Sequence, residues 1–300
     1  MYDKSDARAG LATAPGPAPQ GRVAAPELLD FDKQEPQETT AAGSRTWWGR
    51  GQNFVLAYTS ARSGEVFTRE AQPDEYVVVL PHDDSSVEVV AGDQKETVTG
   101  RAVVVVPPGD STVTATAGCD VVRLFTTRSA DLAERAGNAA SYAEDHPHVA
   151  PFAAWPDPVE GFRVRVYPVA HLERSPDRFG RIFRCSTFMV NFLFPHEGPR
   201  DTTKLSPHHH DDFEQCSLAV RGEFVHHIRT PWTTRLDDWR EDVHHACGSP
   251  SVAVIPPPTV HTTQATGQGT NQLIDIFCPP RADFSAKPGW VLNAGEYPAP

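Results

Sequence analysis

The run PHHHDDFEQCSLAVRG, residues 207–222, holds His208, His210 and Glu214 within seven residues. A fourth candidate, His261, lies downstream in IPPPTVHTTQ. Three imidazoles and a carboxylate can hold one divalent transition metal and leave coordination positions open. Open positions are what metal-assisted catalysis needs, so the cluster points to chemistry as well as packing. HHH alone would suit a polar surface turn. The company of Glu214, Gly222 and His261 favours metal binding.

Strands must position these groups. Side chains two apart on a strand share a face, so His208 and His210 point into one cavity and His209 faces outward. Glu214 opens the next strand. By the same alternation Cys216, Leu218 and Val220 are expected on its inward side, with Cys216 a small buried hydrophobe. His261 follows a proline turn, with Thr263 and Ala265 on its face. The expectation is four ligands from two strands facing each other across a barrel.

The rest of the chain supports an all-β reading. Residues 1–43 are rich in Ala, Pro, Gly and Gln and read as a disordered or strap-like arm, within which PELLDF (26–31) could dock. From residue 44, NFVLAYT, EYVVVLP, SSVEVVAG, RAVVVVPPG and DVVRLFTT are short β-branched runs bounded by Gly, Pro and Asp. They define a first unit over 44–145, whose last residues, 129–143, have helical composition. A Pro-rich linker spans 146–161. A second unit, 162–300, contains FRVRVYPV, RIFRCSTFMVNFLF, EQCSLAVRGEFVHHIR, SVAVIPP and NQLIDIF. Its irregular tail is expected to pack back through Phe284 and Trp290.

The units read as copies. Aligning Glu75 with Glu214 puts Arg69 and Ala71 where His208 and His210 stand. Aligning Pro107 with Pro256 puts Thr112 opposite His261. The first copy keeps a carboxylate and loses all three imidazoles. The spacing HxHx3Ex7G (His208, His210, Glu214, Gly222), followed by Pro256-Pro257 and His261, resembles the two motifs of the cupin superfamily, and the duplication resembles a bicupin. Pro258 replaces the usual glycine of the second motif, and the gap between motifs is long. The resemblance implies two tandem double-stranded β-helix (jelly-roll) barrels with metal only in the second. It implies one divalent ion on His208, His210, Glu214 and His261, with Fe(II) favoured and Mn, Ni, Co or Zn as the other choices.

Other residues give weaker signals. His226, His227, His244 and His245 suit surface or supporting roles. As catalytic candidates, His226 and His227 would be proton shuttles or substrate donors, Arg229 would bind a substrate carboxylate, and Glu214 would alternate between ligand and base. A surface salt bridge is the competing role for Arg229. Asn191 becomes a pocket group if its strand face is inward. The favoured activity is a dioxygenase acting on a small organic molecule. The alternative is a non-redox isomerase, decarboxylase or lyase for a sugar acid or keto acid, and a third option is a non-catalytic binding module.

Acidic residues (39) outnumber basic ones (27), giving a net charge of −12. That disfavours nucleic acid or an anionic membrane as partner and leaves room for a small, carboxylate-bearing substrate. No apolar run approaches a membrane span, and the N-terminus lacks the apolar centre of a secretory signal. Five cysteines without paired spacing suit reduced thiols, so a cytoplasmic protein is expected. Exposed sheet edges give a physical reason for a homodimer.

Overall fold

The structure, a computed structural model, describes residues 21–170, 172 and 174–300. The first twenty residues of the arm lie outside this range. The first half carries β1 (Glu27–Leu29), β2 (Glu38–Thr39), β3 (Arg45–Arg50), β4 (Phe54–Ala61), β5 (Val66–Gln72), β6 (Tyr76–Leu80), β7 (Ser86–Ala91), β8 (Gln94–Thr99), β9 (Ala102–Val106), β10 (Gly109–Ala115) and β11 (Cys119–Thr126). The second carries β12 (Arg165–Pro168), β13 (Gly180–Arg184), β14 (Met189–Leu193), β15 (His196–Glu197), β16 (Gln215–Arg221), β17 (Phe224–Arg229), β18 (Val243–Cys247), β19 (Ser251–Ile255), β20 (Val260–Ala265) and β21 (Thr270–Phe277). Each half pairs a large sheet with a small one in a jelly-roll barrel. The sheet orders are β12-β9-β6-β11-β4-β3-β2 with β5-β10-β7-β8, and β1-β19-β16-β21-β14-β13 with β18-β17-β20.

Runs such as YVVVL and AVVVV show no polar alternation because both faces of their strands are buried. Val77, Val79, Val103 and Val105 face one way, into a core shared with Cys216, Leu218, Val252 and Ile274 of the other half. Tyr76, Val78, Leu80 and Val104 face the other way, into the first barrel, where they meet Val87, Val89 and Val113 of the small sheet. The large sheets thus stack on each other, and each barrel closes on its outer side. This corrects the expected orientation of β16: Cys216, Leu218 and Val220 point into the core between the halves, not into the second barrel.

The halves also exchange strands. β1, from the arm, is hydrogen-bonded to β19 in the second half's sheet. β12 follows the Pro-rich segment yet pairs with β9 in the first half's sheet. The described part of the arm is therefore ordered rather than loose, with Phe31 buried in the shared core. The helical composition near 129–143 yields one α-turn, Ala130–Ala133, and one 3-10 turn, Ala139–Tyr142. In the tail, Phe284 and Trp290 pack on Ile182, Met189 and Phe277.

Candidate metal centre

His208, His210 and His261 come together, with one nitrogen from each lying within 4.8 Å of the others. His208 and His261 are direct neighbours: the His208 N–H donates to the His261 carbonyl (3.0 Å) and the His261 N–H returns the bond (2.7 Å). They sit side by side rather than facing across the barrel as expected. The ring of His210 stands 5.1 Å from each of theirs, stacked on Phe213. His209 turns away and lies 3.3 Å from Asp211.

Glu214 is not brought to this cluster. Its carboxylate crosses to the first half, accepting from the Gln52 backbone N–H (2.6 Å) and the Tyr142 hydroxyl (3.1 Å), with His146 at 3.5 Å. The reason is strand alternation. Glu214 shares a face with Cys216 and Leu218, and that face looks at the other half. Gln215, one residue on, faces the imidazoles: its Oε1 accepts from His210 Nε2 at 2.8 Å and lies 3.4 Å from His261 Nε2. The amide NH2 of Gln215 donates to Ser217 Oγ (2.9 Å) and Asp275 Oδ1 (3.2 Å), and Ser217 also donates to Asp275 (2.7 Å).

Two of the imidazoles are oriented as metal ligands. His208 Nδ1 lies 2.9 Å from the Ser206 carbonyl and His261 Nδ1 lies 3.1 Å from that of Thr259. A carbonyl only accepts, so each Nδ1 carries a proton, the arrangement in which Nε2 is the ligand atom of a neutral ring. Burial, reinforced by the Arg281 guanidinium, pushes His261 down to about 4 and holds His210 well below the usual imidazole range. Both are neutral near pH 7, the form that binds a metal. This donor set suits one divalent first-row transition ion.

The cluster opens on a cavity of about 270 Å³ between β16 and β21 of the large sheet and β20 of the small one. Its wall includes Gln215, Ser217, Asp275, Arg281 and Thr263, together with Phe179, Phe194, Phe224, Phe277 and Phe284. Arg281 is buried, bonds to Asp283 at 2.5 and 3.0 Å, and lies 3.6 Å over the Phe284 ring.

The other candidates scatter. His226 is buried behind the wall, its Nδ1 2.9 Å from the Thr263 hydroxyl. His227 is on the opposite face of β17, in contact with His244 (2.7 Å) and Gln264 (3.1 Å). His245 pairs with Asp30 of the arm. Arg229 is an exposed partner of Asp242, the salt-bridge role. Asn191 is fully buried on the barrel face, directly opposite Asp275. Gln215, Asp275 and Arg281 were missed by sequence reasoning. Asp275, an acid inside the apolar run LIDIF, was a signal available to find one of them.

In the first half, Glu75 does correspond to Glu214. It crosses in the opposite direction, accepting from Ser186 N–H (3.0 Å), Ser186 Oγ (2.6 Å) and Tyr297 OH (2.9 Å). Tyr76 then stands where Gln215 does, bonded to Ser111 and stacked on Phe125 at 5.0 Å. Arg69 is bound to Asp131 and Gln72. Among the described residues, the His208–His210–His261 group is the one that could hold a metal ion.

No protein-family model matches the chain, and no curated protein matches it in sequence. Solved structures do match. The formate complex of Lactobacillus farciminis oxalate decarboxylase superposes with a TM-score of 0.58 over 87% of this chain and 88% of that one, at 10% identity. An oxalate decarboxylase, in a study of its substrate binding mode, gives 0.56 over 90% and 83%, at 12% identity. Bacillus subtilis oxalate decarboxylase, in a study of its Mn(II) centres, gives 0.55 over 90% and 83%, at 11% identity. At such identity the likeness is one of fold: two cupin-type jelly-roll barrels in tandem.

Proposed function

We propose that the chain is a metal-dependent enzyme that acts on a small carboxylate by decarboxylase- or lyase-type chemistry, with the ion held by His208, His210 and His261. The carrying observation is the cluster of three imidazoles, two of them buried, with His208 and His261 on the wall of a cavity that also contains a buried guanidinium, Arg281. The likeness to oxalate decarboxylases supports this choice over the oxygenase that the motif alone favoured. A bound divalent ion would act as a Lewis acid on a carboxylate or adjacent carbonyl. Arg281 supplies a positive charge to orient the anion, and Asp283 and the Phe284 ring hold it in place. The phenylalanines exclude water, which strengthens each of these interactions. His226 holds the Thr263 hydroxyl at the wall rather than touching substrate.

Metal content of protein purified without added metal, followed by anaerobic turnover of a panel of small carboxylates, tests the reading. One equivalent of a divalent ion and oxygen-independent product release are expected. Protein that binds no ion, or that leaves every carboxylate unchanged, would end it. The five phenylalanines of the cavity favour one second reading, an Fe(II) dioxygenase for a more apolar molecule. That reading requires oxygen uptake in step with turnover.

A further inference from the structure

We propose that Gln215, not Glu214, is the fourth donor to the metal, and that Asp275 and Ser217 fix its amide with the oxygen toward the imidazoles. This rests on the metal site proposed above and concerns which residues complete it. The orientation follows from donor and acceptor types. A carboxylate only accepts, so the amide edge 3.2 Å from Asp275 must be the NH2, and the opposite edge is Oε1. Ser217 adds an acceptor for the same NH2 at 2.9 Å while donating its own proton to Asp275.

The other side of the amide faces the imidazoles. His261 Nδ1 donates to the Thr259 carbonyl, which turns its Nε2 toward Gln215 Oε1 at 3.4 Å. An ion seated between them would take a donor atom from each. His210 donates to the same oxygen, and to ligate through Nε2 it would carry its proton on Nδ1 instead. The donor set is then three imidazoles and a neutral amide oxygen, and Asp275 acts as a positioning residue.

The experiment is titration of Mn(II), and separately Co(II), into metal-free full-length protein, read by calorimetry and by the visible spectrum of the cobalt form. Gln215→Ala and Asp275→Asn should each weaken binding about 10- to 100-fold. Gln215→Glu combined with Asp275→Asn, which reverses the hydrogen bond while keeping an oxygen donor, should restore binding. Glu214→Gln should leave affinity and the cobalt spectrum unchanged. Should Asp275→Asn not fold, by near-ultraviolet circular dichroism, Ser217→Ala tests the same lock with a smaller loss. Unchanged affinity in Gln215→Ala, or a loss in Glu214→Gln equal to that in Gln215→Ala, overturns the assignment and leaves the three-histidine site standing. Wild-type protein that binds neither ion overturns both.

Discussion

Glu214 and Gln215 show how much one residue of register decides. Both fit a motif that begins HxH, one after three intervening residues and the other after four. A carboxylate is the better ligand by type, which is why composition selects Glu214. Placement selects Gln215, because the face carrying Glu214 looks at the other half. Gly51 makes room for that carboxylate: a Cβ there would lie 2.5 Å from Glu214 Oε2 and 2.3 Å from the Phe54 ring. Gly51→Ala should therefore cost about 1–3 kcal/mol through overpacking, read as a lowered denaturant midpoint with an unchanged slope. The buried imidazoles add a pH effect. Burial lowers His226 to about 3 and His261 to about 4, against 6.5 for a free imidazole. The unfolded chain thus takes up protons near 6.5 that the native state refuses. Their contribution is intact above about pH 6.5 and is lost as pH falls toward 4, by about 1.4 kcal/mol per pH unit for each group. Urea melts of the metal-free protein at pH 7, 6 and 5 check this, and His226→Gln should flatten the slope. A steeper loss in that variant would show that the imidazole is not the cause.

At the scale of elements, the strands were legible and their partners were not. Short Val-rich runs between Gly, Pro and Asp mark the strands of both halves, and the repeat of the pattern marks the duplication. Alternation could not reveal which face is which, because six of the seven residues of β16 are buried. Glu27-Leu28-Leu29 and Arg165-Val166-Tyr167-Pro168 are too short to announce which sheet they join. Each closes an edge belonging to the other half. β1 covers Val252, Ala253 and Val254 of β19, and Phe31 just beyond it stacks on Trp47 at 6.2 Å. Removing residues 1–31 should strip this cover, expose an apolar strand edge and make the protein aggregate. Light scattering of the truncated chain against the full chain measures it. A monodisperse truncated protein with an unchanged melting temperature would refute the structural role of the arm.

At the scale of the whole molecule, the two halves should unfold as one. Their large sheets share a core in which Leu56, Tyr58, Val77 and Val79 meet Phe192, Leu218, Val254 and Ile276. Two carboxylates cross it in opposite senses, Glu75 to Ser186 and Tyr297, and Glu214 to Gln52 and Tyr142. The duplication thus preserved its acids as ties between copies while the imidazoles survive in one copy only. Removing either acid leaves buried N–H and O–H donors without acceptors, at about 1–3 kcal/mol for each group stranded. Glu75→Ala and Glu214→Ala should both lower the melting temperature. Glu75→Gln, which keeps an acceptor oxygen without the buried charge, should cost less, since burial already raises the Glu75 carboxyl above its usual range. Neither half has elsewhere to bury its side of the shared core, so residues 44–145 expressed alone should not fold, despite forming a complete barrel by sequence. Scanning calorimetry of the full chain should give one transition whose calorimetric and van't Hoff enthalpies agree. Two resolved transitions, with the Glu75 and Glu214 variants moving only one of them, would mean that the barrels are independent domains and that the crossed carboxylates do not couple them.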